Sequence, residues 1–210
     1  MKKDFKNKKG GYTLIETLIA VALFIVVVTI GMGALLNANA LYNKSKNMRS
    51  ILDNLSFTME DMSRNIKTGS DYRCITSTGD FTSNNIVTDS NVNTPKSGQS
   101  CWGIAFEPSG GIEGSGDQWI YYIGTLGLDP TIRIYKSVDV NGALNFVQMT
   151  PNEVTIDQSY GFSVLGAESP STGDQQQPFV TIRLVGHILY NGVSTPFSLQ
   201  TSVSQRETDL

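Results

Sequence analysis

Few residues in this chain have the types and spacing that a chemical site requires. His187 is the only histidine, so no histidine pair exists to bind zinc, and we expect it to have a structural or surface role. The two cysteines, Cys74 and Cys101, are 27 positions apart, unlike the short spacing of zinc-binding cysteines. We therefore predict no metal site and no cofactor, and no residue pattern supports an enzyme.

The cysteines allow a different kind of chemistry, the closure of a single disulfide. Two cysteines are too few to define a disulfide scaffold. If this part of the chain lies outside the cytoplasm, Cys74 and Cys101 would be able to form one bridge. The alternative is a pair of unpaired, partly buried thiols, and the spacing does not decide between the two.

One carboxylate occupies an unusual position. Glu16 is the only charged residue between Leu14 and Leu36, and the 19 residues Leu18–Leu36 carry no charge at all. As a helix this run would span roughly 28 Å, close to the hydrocarbon thickness of a bilayer. An ionisable group at membrane depth is costly and suggests a function. A simpler interpretation is a carboxylate that is favoured at a helix N-terminus.

The basic residues at the N-terminus predict an orientation. Residues 1–11 contain five of the ten lysines and precede the apolar run, so they are expected to stay cytoplasmic while the rest of the chain is exported. Without this segment the chain has 11 basic and 18 acidic side chains, a net charge of −7. That balance argues against a large basic surface for phosphates, and we predict no direct nucleic acid binding.

Two ordinary interpretations of this N-terminus compete with a more specific one. A secretory signal peptide agrees with the small residues of Ala38-Asn39-Ala40, but the apolar run is longer than a signal usually has. A plain single-span anchor explains the run but leaves the two glycines before Tyr12, and Glu16, without a reason.

The specific interpretation comes from a resemblance. The string Gly11-Tyr12-Thr13-Leu14-Ile15-Glu16 resembles the prepilin cleavage and methylation motif of the type IV pilin-like family, with Tyr12 in place of the usual phenylalanine. The resemblance implies cleavage between Gly11 and Tyr12, where a glycine adds no side-chain bulk. It also implies N-methylation of Tyr12, and pairing of Glu16 with the N-terminal amine of a neighbouring subunit during assembly.

The resemblance also implies partners and a location. The partners would be the prepilin peptidase and methyltransferase, other pilin or pseudopilin subunits, an assembly platform in the inner membrane, and the membrane itself. The chain would cross the bacterial cytoplasmic membrane once, with its head outside, and then enter an extracellular or periplasmic filament. Whether that filament serves adhesion, DNA uptake or protein secretion stays open.

A minor pilin or J-type pseudopilin is favoured over a major shaft subunit. Major pilins often carry a proline in the apolar helix, and this chain has none there. The segments Met59–Ile66, Pro178–Ile182 and Phe197–Arg206 are moderately similar to the helix and closing strands of minor pilins and pseudopilins.

A second helical pattern follows the apolar run. Its apolar residues are spaced 4, 3, 4, 3 and 4 positions apart: Met48, Leu52, Leu55, Met59, Met62 and Ile66. This stripe predicts that the helix continues to about Thr68 and packs against the chain's own sheet rather than forming a short coiled coil. The predicted organisation is a leader at 1–11, an assembly helix at 12–40, an amphipathic helix at 41–68 and a head at 69–210.

The head is predicted to consist of strands. Runs rich in β-branched and aromatic residues lie at Trp102–Glu107, Gln118–Gly124, Thr131–Ser137, Leu144–Met149, Glu153–Asp157, Phe162–Gly166, Phe179–Ile188 and Phe197–Val203. Asp139–Gly142 looks like a hairpin turn. The predicted fold class is therefore α+β and pilin-like: a long N-terminal helix, half transmembrane and half amphipathic, on an antiparallel sheet.

A binding role is the alternative to a purely structural one. The polar segments Ser77–Ser100 and Ala167–Pro178 are predicted loops, and they would be the binding faces of an adhesin displayed at a filament tip.

Overall fold

A computed structural model describes residues 11–76, 92–111, 117–127, 129–138, 145–158, 160–168 and 176–206. The chain divides into two compact units, Met1–Asn47 and Met48–Leu210. A single 55-residue helix, α1 (Leu14–Thr68), contributes to both units. The described strands all follow the helix and belong to the second unit.

The C-terminal part of α1 packs on the sheets through one face. The buried side chains on this face are Ile51, Leu55, Thr58, Met59, Met62 and Ile66. The predicted stripe is therefore buried at Leu55, Met59, Met62 and Ile66, whereas Met48 is partly buried against the core and Leu52 is 38% exposed. Leu52 lies about 60° from Leu55 around the helix axis, which puts it at the border of the buried face, and Ile51 takes its place.

Close packing marks the end of the helix. Gly69 follows the last helical residue, and a Cβ at this position would collide with the ring of Phe106. The hydroxyl of Tyr72 lies 2.6 Å from the carbonyl oxygen of Ile66 and 3.0 Å from that of Gly69. The Ile66 carbonyl, near the end of the helix, thus accepts both from the Gly69 N–H and from the Tyr72 hydroxyl of the next segment.

Eleven strands lie in the described part of the chain. They are β1 (Ser70–Ile75), β2 (Val92–Asn93), β3 (Gln99–Cys101), β4 (Gly103–Glu107), β5 (Trp119–Gly124), β6 (Arg133–Val138), β7 (Phe146–Gln148), β8 (Val154–Ile156), β9 (Phe162–Leu165), β10 (Phe179–Tyr190) and β11 (Val193–Ser204). They form one sheet in the order β2-β1-β4-β5-β6-β7 and another in the order β11-β10-β9-β3, with β8 also paired to β10. Neighbouring strands in both sheets run antiparallel throughout the described residues.

The predicted α+β pilin-like fold class is confirmed, and each predicted strand overlaps an observed one. Three strands were not predicted, namely β1, β2 and β3. β2 lies within Ser77–Ser100 and β3 begins there, so the loop prediction is wrong for residues 92–93 and 99–100, because short strands at sheet borders carry little periodic signal. The predicted turn at 139–142, residues 77–91 and residues 169–175 lie outside the described residues.

The last two strands are longer than predicted and form one hairpin. Phe179 pairs with Ser204 at one end and Tyr190 with Val193 at the other. Asn191 and Gly192 connect them, with φ angles of 49° and 76°. Asn-Gly is the residue pair that a two-residue hairpin turn with positive φ favours. The sequence therefore carried a signal for this hairpin that the strand prediction did not use.

The main core lies between the helix and both sheets. Leu55, Met62 and Ile66 are fully buried against residues of both sheets, including Tyr121 and Ile182. Burial of these apolar side chains is the main favourable contribution to the stability of the second unit.

Candidate functional site

The N-terminal end of α1 is capped by Thr13. The backbone N–H groups of Thr17 and Glu16 donate to the Thr13 carbonyl oxygen at 3.2 and 3.1 Å, and the Glu16 N–H also lies 3.4 Å from the Thr13 hydroxyl oxygen. Thr13 and Glu16 have the spacing of a capping box, in which a threonine side chain satisfies a free N–H of the first turn. This cap was not predicted from the sequence, although the pattern Thr-x-x-Glu is present there.

The residues predicted to be processed lie directly before this cap. Gly11 and Tyr12 precede the helix, and Tyr12 is 82% exposed. The side chain of Glu16 is exposed in the first turn. Among the described residues, no ion pair involves its carboxylate. The helix start therefore holds one carboxylate within four residues of the predicted new N-terminus.

The apolar part of α1 is not covered by the chain itself. Apart from Val28, which is partly buried, its large side chains from Leu14 to Leu36 are more than half exposed, among them Leu18, Leu23, Phe24, Val27, Ile30 and Leu35. By length and composition this helix is able to cross a membrane, and none of its most apolar stretch is buried. A core helix of a soluble protein would be buried, whereas a signal sequence would pass the same test.

Polar groups within the apolar stretch bond inside the helix. The Thr29 hydroxyl donates to the Ile25 carbonyl at 2.7 Å, and the Thr17 hydroxyl donates to the Leu14 carbonyl at 2.9 Å. In a hydrocarbon environment such groups need internal partners, since no water is available. These two hydroxyls therefore add little to the cost of an apolar surrounding.

In the second unit, a disulfide joins the two sheets. Cys74 lies on β1 and Cys101 on β3, with a Cα–Cα distance of 5.4 Å, and both side chains are fully buried. Since β1 and β3 belong to different sheets, the bridge ties one layer of the head to the other.

A polar cluster connects the helix to β5 and β6. The Lys136 ammonium group lies 2.9 Å from Asp61 Oδ2, and the Tyr121 hydroxyl donates to the same oxygen at 2.8 Å. Asn65 Nδ2 donates to the Tyr121 oxygen at 2.7 Å and to Asp61 Oδ1 at 3.1 Å. Lys136 also lies 4.6 Å from the ring centroid of Trp119, a distance at which a cation is attracted to the ring face.

The surroundings within this cluster shift the pKa values of Asp61 and Tyr121. Burial alone would raise the pKa of Asp61, but hydrogen bonds from Lys136 and Tyr121 outweigh it and hold that pKa below its usual value. Burial raises the pKa of Tyr121, and the neighbouring Asp61 carboxylate adds to the rise. Tyr121 therefore keeps its proton and acts as a donor to Asp61.

His187 contacts an acidic side chain in the second unit. Its Nδ1 lies 2.8 Å from Asp157 Oδ1, and both side chains are partly exposed. Across the described residues, no group of three or more histidine, cysteine or acidic side chains has a geometry suited to a metal ion.

Comparison with known proteins identifies one motif. Residues 6–35 match the model of the prokaryotic N-terminal methylation motif. No curated protein and no solved structure matches the chain. The matched segment contains Gly11, Tyr12 and Glu16, and it continues into the exposed apolar part of α1.

Proposed function

From the methylation motif and the long apolar N-terminal helix, which together fit a type IV pilin-like protein, we propose that this chain is a structural subunit of a type IV pilus-like filament. The observation that carries the proposal is that the methylation motif continues directly into the long apolar helix. A helix whose apolar surface is exposed around its circumference needs a lipid or protein environment. Assembly into a bundle of such helices would provide that environment.

Processing after Gly11 prepares the helix for assembly. The cut removes five lysines, which would resist entry into an apolar environment. It creates an amine at Tyr12, and N-methylation keeps the positive charge of that amine. A prepilin peptidase and methyltransferase would supply both reactions, so the chain itself needs no catalytic residue.

Glu16 then directs assembly by pairing with the methylated amine of a neighbouring subunit. Its exposed carboxylate and the absence of an ion-pair partner among the described residues support this role. In a medium of low dielectric constant, a neighbouring positive charge is the natural compensation for a carboxylate. Such pairing would fix the axial position of each subunit relative to the next.

The subunit is a minor pilin or a pseudopilin. The absence of proline between residues 12 and 68 and the moderate similarity of Phe197–Arg206 to closing strands of that group support this assignment. Before assembly the chain crosses the cytoplasmic membrane once, with its head outside, and meets other subunits at an inner-membrane platform. The lysines before the apolar run support this orientation.

Three variants separate an assembly role of Glu16 from helix capping. Glu16→Ala and Glu16→Gln both remove the charge, whereas Thr13→Val removes the capping oxygen and keeps the carboxylate. We expect all three to be processed and to accumulate in the membrane. Filaments should lose the two Glu16 variants and retain Thr13→Val. Normal incorporation of the Glu16 variants would overturn the assembly role.

Intact-protein mass spectrometry of sheared filaments and of the membrane fraction tests the whole proposal. A chain that begins at methylated Tyr12 and is sparse in filaments is the expected result. Abundance in filaments would instead identify a major subunit. A chain that begins at Met1 or Leu41 in cells with an active prepilin peptidase would overturn the proposal. It would indicate a plain membrane anchor or a secreted protein.

A further inference from the structure

The strand β11 forms an unusually long open border of its sheet. It lies at the end of the order β11-β10-β9-β3 and is 12 residues long. The other described strands with a single pairing partner, β2, β3, β7 and β8, have two or three residues each. Val193–Ser204 also contains no charged residue. Natural proteins usually keep border strands short or place charges on them, because an open border pairs readily with other strands.

The hydrogen-bonding pattern shows which groups face outward. Gln205 N–H donates to the Pro178 carbonyl, in the same register that pairs Ser204 with Phe179. Because hydrogen-bonded and non-bonded pairs alternate in an antiparallel ladder, the odd-numbered residues of β11 direct their backbone groups toward β10. The even-numbered residues, from Ser194 to Ser204, direct theirs away from the sheet.

Two residues agree with this assignment. Pro196 is even-numbered, so its missing N–H falls on the outer side, the position where a strand tolerates proline. Arg206 is also even-numbered, and its N–H donates outward to the Lys67 carbonyl. In the described part of the chain, no backbone hydrogen bond from another segment reaches the outer side of residues 194–204.

A groove beside β11 would favour particular side chains on a strand that binds there. Leu199 and Thr201 of β11 face Ser56, Met59 and Glu60 of the helix across it. Glu60 is largely exposed there, and its contact with Arg64 is a long 3.5 Å. A strand laid along β11 would direct alternate side chains toward this groove. Met59 offers an apolar wall and Glu60 a carboxylate, which suit a basic side chain with an apolar stem.

We propose that the outer side of β11 receives an extended strand, with a basic side chain over Glu60, from the head of a neighbouring and different subunit. This inference rests on the proposed function, which provides the neighbour. A second copy of this chain would match 12 residues only through its own β11, because its other described borders have two or three residues. Pairing of β11 with β11 needs a two-fold axis between the copies, and subunits that follow one another along a filament by rotation and translation do not share such an axis. The pairing would be driven by backbone hydrogen bonds, as in other cases of strand addition.

Hydrogen exchange at single-residue resolution tests the pairing. The processed full-length chain in detergent micelles is compared with the same chain in sheared filaments. The outward N–H groups of Ser198, Gln200 and Ser202 should exchange without protection in micelles and at least about tenfold more slowly in filaments. Those of Leu199 and Thr201 should be protected in both, because they bond to β10. Fast exchange of the even-numbered residues in filaments would overturn the inference.

A pair of variants provides an independent test. Ser198→Pro removes one outward N–H without touching the ladder to β10, and Ser198→Ala is the matched control. We expect Ser198→Pro to reduce incorporation into filaments at least about tenfold relative to Ser198→Ala, with equal processing and membrane levels. Equal incorporation of both would contradict the pairing.

The neighbour is identified by a photo-crosslinking residue at position 198 in assembled filaments. Linkage to the head of a different pilin-like subunit supports the inference, and linkage to a second copy of this chain overturns it. If the wild-type chain is absent from filaments, the proposed function fails. If it is present and its outer border stays unprotected, only the strand pairing fails.

Discussion

The ammonium group of Lys136 lies 2.9 Å from Asp61 Oδ2 and connects the middle of the head sheet to helix α1. Both side chains are mostly buried, at 20% and 27% exposure. Tyr121 and Asn65 complete the hydrogen bonds of the carboxylate. This pair therefore fixes how the helix sits on β5 and β6, in addition to the apolar contacts around Leu55 and Met62.

Asp61→Asn should destabilise the second unit by about 1 kcal/mol, because it removes a charge-assisted hydrogen bond and leaves the mostly buried Lys136 without its counter-ion. The measurement is denaturant unfolding of the full chain in micelles. Glu60→Gln is the matched control, since the Glu60–Arg64 pair is highly exposed and should contribute less than about 0.5 kcal/mol. Equal effects of the two variants would contradict the importance of the Asp61 cluster.

The same carboxylate should make stability depend on acidic pH. Its pKa in the folded state is below the unfolded value of about 3.9, so the folded state binds fewer protons in that range. The stabilisation is present above the unfolded pKa and is lost as pH falls through the folded pKa. The difference in unfolding midpoint between wild type and Asp61→Asn should therefore shrink as pH falls below about 4. A difference that stays constant there would argue against the lowered pKa.

Leu55→Ala and Leu52→Ala should separate the two faces of the amphipathic helix. Leu55 is fully buried, so its truncation should cost about 2–5 kcal/mol by loss of burial and creation of a cavity. Leu52 is 38% exposed and should cost less than about 1 kcal/mol. Unfolding midpoints of both variants give the comparison. Equal effects at the two positions would favour the stripe as predicted from sequence, which includes both residues.

Replacing both Cys74 and Cys101 with serine should lower the free energy of unfolding by about 2–4 kcal/mol, because the bridge closes a long loop and joins the two sheets. Unfolding with and without a reductant is the measurement. The wild type should lose stability in the reductant, and the double variant should not respond. A wild type that is insensitive to complete reduction would contradict a stabilising role.

Local sequence determined the N-terminal motif. Gly11, Tyr12 and Glu16 are close in the chain, and the charge pattern and apolar length of Leu18–Leu36 act over one helix. Such features depend on neighbouring residues and on the helical period, so no tertiary contact is needed to recognise them. The capping role of Thr13 belongs to the same class and was readable from its spacing to Glu16.

Tertiary structure decided the contacts and the burial that depend on residues far apart in the chain. Asp61 and Lys136 are 75 positions apart, and only the order of the strands brings them together. Whether Ile51 or Leu52 is buried depended on how the helix packs on the sheets. The open border of β11 depended on the strand order. Sequence periodicity fixes which residues share a face, but pairing between strands is set by packing of the whole core, which no local pattern encodes.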